Sequence, residues 1–209
     1  MTIPVGPAEL EGDLVLPEGA EAVVLFAHGS GSSRRSPRNR FVAERLQQAG
    51  LGTLLFDLLT PIEADDRANV FDIFLLAERL VRTTQWVHER HERLRVGYFG
   101  ASTGAAAALW AAAAPELRIG AVVSRGGRPD LAGDRLTEVT APTLLIVGGH
   151  DEVVLELNQR AERLLGGPSQ LAIVPGATHL FEEPGTLEAV ADLAREWFTE
   201  HLARRGPSN

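Results

Sequence analysis

Cysteine and lysine are absent from the 209 residues, and methionine and tyrosine occur once each. Without cysteine there is no disulfide, no thiolate metal site and no thiol nucleophile, so covalent chemistry falls to Ser, Thr or a carboxylate. All 20 basic residues are arginine, which beside the Ala and Gly content reads as compositional bias without functional weight. Long apolar runs are also missing. No stretch reaches the roughly 18 residues that span a bilayer, and the N-terminus lacks the basic start and apolar run of a leader, so a cytoplasmic protein with no membrane partner is expected. A formal charge of -8 and a pI near 5.3 argue against nucleic acid, whose phosphates call for a basic stripe or patch.

Linkers, repeats and low-complexity tracts are likewise not found, and one domain over residues 1–209 is expected. Asp13 to Leu16, closed by Pro17-Glu18-Gly19, reads as an edge strand and turn. Continuous apolar runs at Ala22 to Ala27, Gly52 to Leu58, Leu94 to Phe99, Ile119 to Ser124, Thr143 to Val147 and Leu171 to Val174 suit strands covered on both faces. Helical patterns separate them. One carries Phe41, Val42, Leu46 and Ala49 and stops at Gly50. A long amphipathic segment from Asp65 to His91 is expected to bury Phe71, Phe74, Leu75, Leu80 and Val81, and further helices are expected at Ala105 to Ala114, Val153 to Leu165 and Leu187 to Leu202. Strand and helix in alternation specify an α/β fold: a doubly wound, mostly parallel sheet with helices on both faces and right-handed crossovers. The connections are too short for a separate cap domain.

Within that frame, Val96 to Gly104 is an apolar run ending in Gly100-Ala101-Ser102-Thr103-Gly104 and passing at once into alanine-rich helix. Gly-x-Ser-x-Gly between strand and helix is the context of a nucleophile elbow, which holds a serine hydroxyl above the sheet at a helix N-terminus. An activated serine needs a base, and the base needs an acid to fix its tautomer, arriving here in the order Ser, Asp or Glu, His. Asp151 follows one apolar strand and His179 the next. Asp57 and Glu152 are the rival acids. Of the other five histidines, His28 precedes the serine, His150 adjoins the acid, His88 and His91 lie on a charge-rich helix end, and His201 is near a helix C-terminus. An oxyanion needs at least two donors; Thr103 N–H and Ser30 N–H, the latter in the loop His28-Gly29-Ser30-Gly31, are the candidates. No metal or organic cofactor is needed.

The His28-Gly29 loop, Gly100 to Gly104, Asp151 and His179 together resemble the dienelactone hydrolase-like group of the α/β-hydrolase superfamily, over essentially the whole chain. The resemblance implies hydrolysis of an ester, lactone or related acyl compound through an acyl-enzyme. Dienelactone hydrolases proper use a cysteine nucleophile where Ser102 stands here, so the lactone substrate is not carried over.

Arginines cluster after two strand ends, Arg34, Arg35 and Arg38 in one group and Arg125 with Arg128 in the other. Arginine grips carboxylates bidentately, so an anionic acyl substrate is one expectation, with Arg125, Arg34 and His28 as contacts. Pairing with Asp57, Asp65, Asp66, Asp130 or Asp134 is the structural alternative. Two other functions compete: a catalytically silent scaffold for binding or assembly, and a nucleotide-binding oxidoreductase. Against the latter, Gly97, Gly100 and Gly104 do not follow a first strand, no acidic residue closes the next strand about 20 positions on, and His28 to Arg35 lacks the Gly-Lys-Ser/Thr ending of a phosphate loop. The small molecule is the expected partner, for a monomer or homodimer.

Overall fold

The computed structural model describes residues 1–202. Eight strands form one sheet: β1 (Thr2–Val5), β2 (Ala8–Val15), β3 (Ala22–Ala27), β4 (Gly52–Phe56), β5 (Arg95–Ala101), β6 (Ile119–Arg125), β7 (Thr143–Gly148) and β8 (Ser169–Val174), in the order β1-β2-β4-β3-β5-β6-β7-β8. β3 to β8 pair in parallel, and β1 and β2 run antiparallel at one edge. Every residue of β3, β4 and β7 is buried, as their unbroken apolar runs require of strands covered on both faces.

The helices are α1 (Pro37–Gln48), two single turns α2 (Pro61–Ala64) and α3 (Arg67–Val70), α4 (Ile73–Arg90), α5 (Thr103–Ala112), α6 (Glu152–Glu162) and α7 (Thr186–Leu202), with a 3-10 segment at Pro129–Glu138. Two apolar clusters result. One face of the sheet packs on α4, α5 and the 3-10 segment through residues such as Val23, Leu25, Leu80, Tyr98 and Leu109. The other packs on α1 and α7 through Phe26, Leu46, Phe99, Val123 and Phe198. Ala105 to Ala108 are wholly buried; their methyl-sized side chains let α5 lie close to the sheet beneath its own N-terminus. Behind the same strand, Tyr98 and Thr84 share a buried hydrogen bond of 2.7 Å, tying α4 to β5.

Two expectations change. The predicted edge strand is longer and has a further partner, β1, whose alternation of buried Ile3 and Val5 is interrupted in sequence by Pro4, Gly6 and Pro7. Pro4 points to solvent, the setting in which an edge strand tolerates proline. The long amphipathic segment is broken at Asp72, whose side chain accepts the Leu75 N–H and starts α4 there. That cap sets the phase of the helix, so Ile73, Leu76, Ala77, Leu80, Thr83, Thr84 and Val87 turn inward. Phe71 and Phe74, expected in the core, are 47% and 61% exposed, and Phe74 meets the edge of Trp110 at 6.1 Å.

Candidate active site

Ser102 follows β5 as the N-cap of α5 with φ 52° and ψ -120°, one of two non-glycine residues with positive φ among those described. An L-residue there costs free energy, and the surrounding backbone enforces it. A methyl on Gly100 would stand 2.4 Å from Ala105 Cα, and one on Gly104 2.2 Å from the Ala27 carbonyl oxygen and 2.4 Å from that of His28. Only glycine fits either place. The same closeness brings the loop after β3 onto the elbow: a methyl on Gly29 would lie 3.1 Å from Ser102 Cβ. Ser102 N–H donates to Arg125 O at 3.2 Å, its side chain does not cap α5, and Thr103 N–H opens that helix, where backbone donors lack intrahelical partners and the dipole favours negative charge.

His179 and Asp151 meet. His179 Nδ1–H donates to Asp151 Oδ2 at 2.6 Å, leaving Nε2 free, with the imidazole 38% exposed and the carboxylate 15%. Asp151 occupies the N-cap position of α6 yet spends its carboxylate on the histidine rather than on the helix. Two links hold the loops after β7 and β8 together: Gly149 N–H donates to Val174 O, and His150 N–H to Ala177 O, both at 2.9 Å. The imidazole packs against Gly126, the residue after Arg125, whose carbonyl accepts the Ser102 N–H: a methyl on Gly126 would lie 3.2 Å from His179 O and 3.5 Å from its Nδ1.

Glu183 was not singled out from sequence, although Thr178 five residues earlier and a helix start just beyond are its signal. Its carboxylate accepts from Thr178 N–H at 3.1 Å and from Thr178 Oγ1 at 2.6 Å, and these bonds hold it below the usual carboxylate range. The loop carrying His179 is thereby latched to the start of α7. Ser30 N–H, a candidate oxyanion donor, donates to Thr103 Oγ1 at 2.9 Å, a partner the sequence did not suggest.

Among the arginines the two expectations divide. Arg34 Nη1 meets Asp57 Oδ2 at 2.5 Å, with Glu11 and Asp13 each at 3.7 Å. Asp57 thus serves as its counter-ion, and Arg34, expected to hold substrate, has its charge already neutralised. Arg128 pairs with Asp130 and Arg38 with Glu182. Arg125 differs: it is 8% exposed, its Nε and Nη1 are buried without a hydrogen-bond partner, and it packs on the Phe181 ring at 5.8 Å. Burial, with the like charge of Arg38, pushes it down to about 10, so it remains cationic at neutral pH.

His28 is a clip. Leu58 N–H donates to its Nε2 at 3.1 Å, which places the proton on Nδ1, donating to Gly29 O at 3.0 Å. A cavity of about 560 Å³ opens beside it, lined among others by Ser30, Leu58, Leu59, Val70, Leu76 and Thr103. Ser102 and His179 do not line it; the elbow reaches it through Gly29 and Thr103.

No family model matches the chain. It is 57% identical to a dienelactone hydrolase from Anabaena variabilis of known structure, covering 97% of each chain at a TM-score of 0.94. Est1E from Butyrivibrio proteoclasticus, with ferulic acid bound, superposes at a TM-score of 0.82 over 98% of this chain and all of that one, but at 18% identity, and so speaks to the fold alone. Over 205 residues the chain is 64% identical to Mycobacterium tuberculosis proteins whose names assign them provisionally to the phosphoribosyl transferases. The match takes in 97% of this chain but 46% of theirs, so the chain spans about half the length of those relatives.

Burial lowers the His28 pKa from the ordinary value near 6.5. The unfolded chain therefore takes up a proton that the folded chain refuses, and stability falls as pH drops below about 6.5 toward the lower folded value. Urea unfolding of wild type and His28→Gln at pH 7.5, 6.5 and 5.5 should show a shallower decline in the variant. Parallel declines would contradict the neutral clip.

Proposed function

Since the chain belongs to the dienelactone hydrolase family, we propose that it is a serine hydrolase cleaving a small ester, lactone or related acyl compound through an acyl-enzyme on Ser102. The carrying observation is the left-handed Ser102 at the N-terminus of α5, together with an imidazole that a carboxylate orients and that packs against Gly126, next to the Arg125 carbonyl bonded by Ser102 N–H.

In this reading His179 Nε2 takes the Ser102 proton as Oγ attacks the carbonyl carbon, and Asp151 stabilises the imidazolium through Nδ1–H. Thr103 N–H and Ser30 N–H hold the oxyanion. Ser30 N–H exchanges the neutral Thr103 hydroxyl for a charged acceptor, a stronger bond. The carbon–oxygen bond to the leaving group then breaks, and His179 returns the proton to the departing oxygen. Water, deprotonated by the same histidine, repeats the attack and frees the acid.

The transferase name of the longer relatives favours a second reading for the whole of those proteins. We assign no transferase activity to this chain, which spans 46% of those proteins and itself carries the Ser102 elbow and the His179–Asp151 pair. Arg125 bears on substrate charge. Among the described residues its guanidinium lacks a carboxylate partner, and it stands at the end of β6, where the Arg125 carbonyl accepts the Ser102 N–H, so an anionic group on the leaving-group side would meet it.

Ser102→Ala should lower kcat/KM for ester hydrolysis by at least about a thousandfold with an unchanged circular dichroism spectrum; near-wild-type turnover would refute the nucleophile. Arg125→Met keeps the stem against Phe181 and removes the charge. It should cut the kcat/KM ratio of 4-carboxyphenyl acetate to phenyl acetate by about tenfold or more, and an unmoved ratio would dismiss the anion preference.

A further inference from the structure

We infer that the cavity beside the elbow is an acyl pocket that selects a neutral, apolar acyl group; the inference rests on the hydrolase reading above. Its direction follows from the sheet. His179 lies on the loop after β8 and packs against Gly126 after β6, whereas the cavity lies across β5 under the loops after β3 and β4 and under α2 and α3. The group that protonates the leaving oxygen must face it. The leaving group therefore points toward β6 and β8, and the acyl substituent is left to pass Ser30 and Thr103 into the cavity.

Its chemistry follows from the lining. Leu58, Leu59, Val70 and Leu76 give an apolar wall. The polar groups among them are already satisfied: Asp57 is paired with Arg34, His28 is held neutral between Leu58 N–H and Gly29 O, and Thr60 Oγ1 accepts the Glu63 N–H. Glu9 and Arg35, which form no ion pair among the described residues, are exposed residues of its lining. A carboxylate on the acyl chain would lose its water against the wall of Leu58, Leu59, Val70 and Leu76, where Arg34 is already paired, while Arg35, the other cation of the lining, is exposed to solvent and so a weak partner. At about 560 Å³ the space is within the range that takes a whole small ligand, well beyond an acetyl group. Glu63 fixes the roof. Burial works to raise its carboxyl, but bonds from Thr60 and the Arg79 guanidinium at 2.6 Å outweigh it and hold it low.

The test is a series of 4-nitrophenyl esters. Each methylene buried should raise kcat/KM about fourfold, or roughly fifteenfold from acetate to butyrate, and the hydrogen glutarate should fall at least about tenfold below the pentanoate. Val70→Trp fills the cavity from its wall and should bring the butyrate-to-acetate ratio toward one; Ala64→Phe, at an exposed position, does the same where the first variant fails to fold. A flat series in a wild-type enzyme that does hydrolyse acetate overturns the pocket and leaves the hydrolase standing. Binding of neutral 1-naphthol to Ser102→Ala protein, read by its fluorescence, needs no turnover. It should weaken at least about tenfold when Val70→Trp or Ala64→Phe is added, and unchanged affinity overturns the pocket even if no ester is cleaved.

Discussion

The backbone of Gly104 lies so close to the carbonyls of Ala27 and His28 that no side chain could stand between them. That approach joins the end of β3 to the start of α5 and leaves Ser102 only the left-handed conformation it adopts. Neighbouring features follow from it. Gly29 is pressed against Ser102, Ser30 N–H reaches the Thr103 hydroxyl, and His28 is carried to where Leu58 N–H can find its Nε2. The buried alanines of α5 extend the same condition, since larger side chains would lift the helix and open the turn.

A second set of close approaches shapes the opposite side. A methyl on Gly148 would meet the Ala177 carbonyl oxygen at 2.4 Å, so the loops after β7 and β8 run together, and Asp151 and His179 bond across them. The Glu183 latch on Thr178 continues that contact to α7. The elbow thus sits between two unlike neighbourhoods. Toward β8 are titratable groups and the unpaired guanidinium of Arg125; toward β4 are an apolar wall and charges that cancel. In the proposed chemistry the first handles protons and the leaving group, and the second receives the acyl group.

Much of this was legible in the chain. Unbroken apolar runs specified a sheet covered on both faces, and the order of Ser102, Asp151 and His179 after successive strands pointed to one end of it. What was not legible depends on partners distant in sequence. Whether Arg34 faces substrate or Asp57 is decided by a pairing 23 residues apart, and the Thr103 hydroxyl finds Ser30 across 73. Phe71 and Phe74 were misplaced because apolar spacing marks a helical stripe without fixing its phase; the Asp72 cap does that. The β1 strand was hidden by prolines that an exposed edge accommodates. The cavity is formed by residues from six separate segments, which no local pattern displays.

The central claim is that Ser102 is activated by the imidazole of His179. The most direct measurement is mass spectrometry of the folded protein after incubation with a fluorophosphonate. The account predicts one adduct, on the peptide containing Ser102, and none in His179→Ala on the same timescale. Labelling elsewhere, or no labelling of folded wild-type protein, would contradict it.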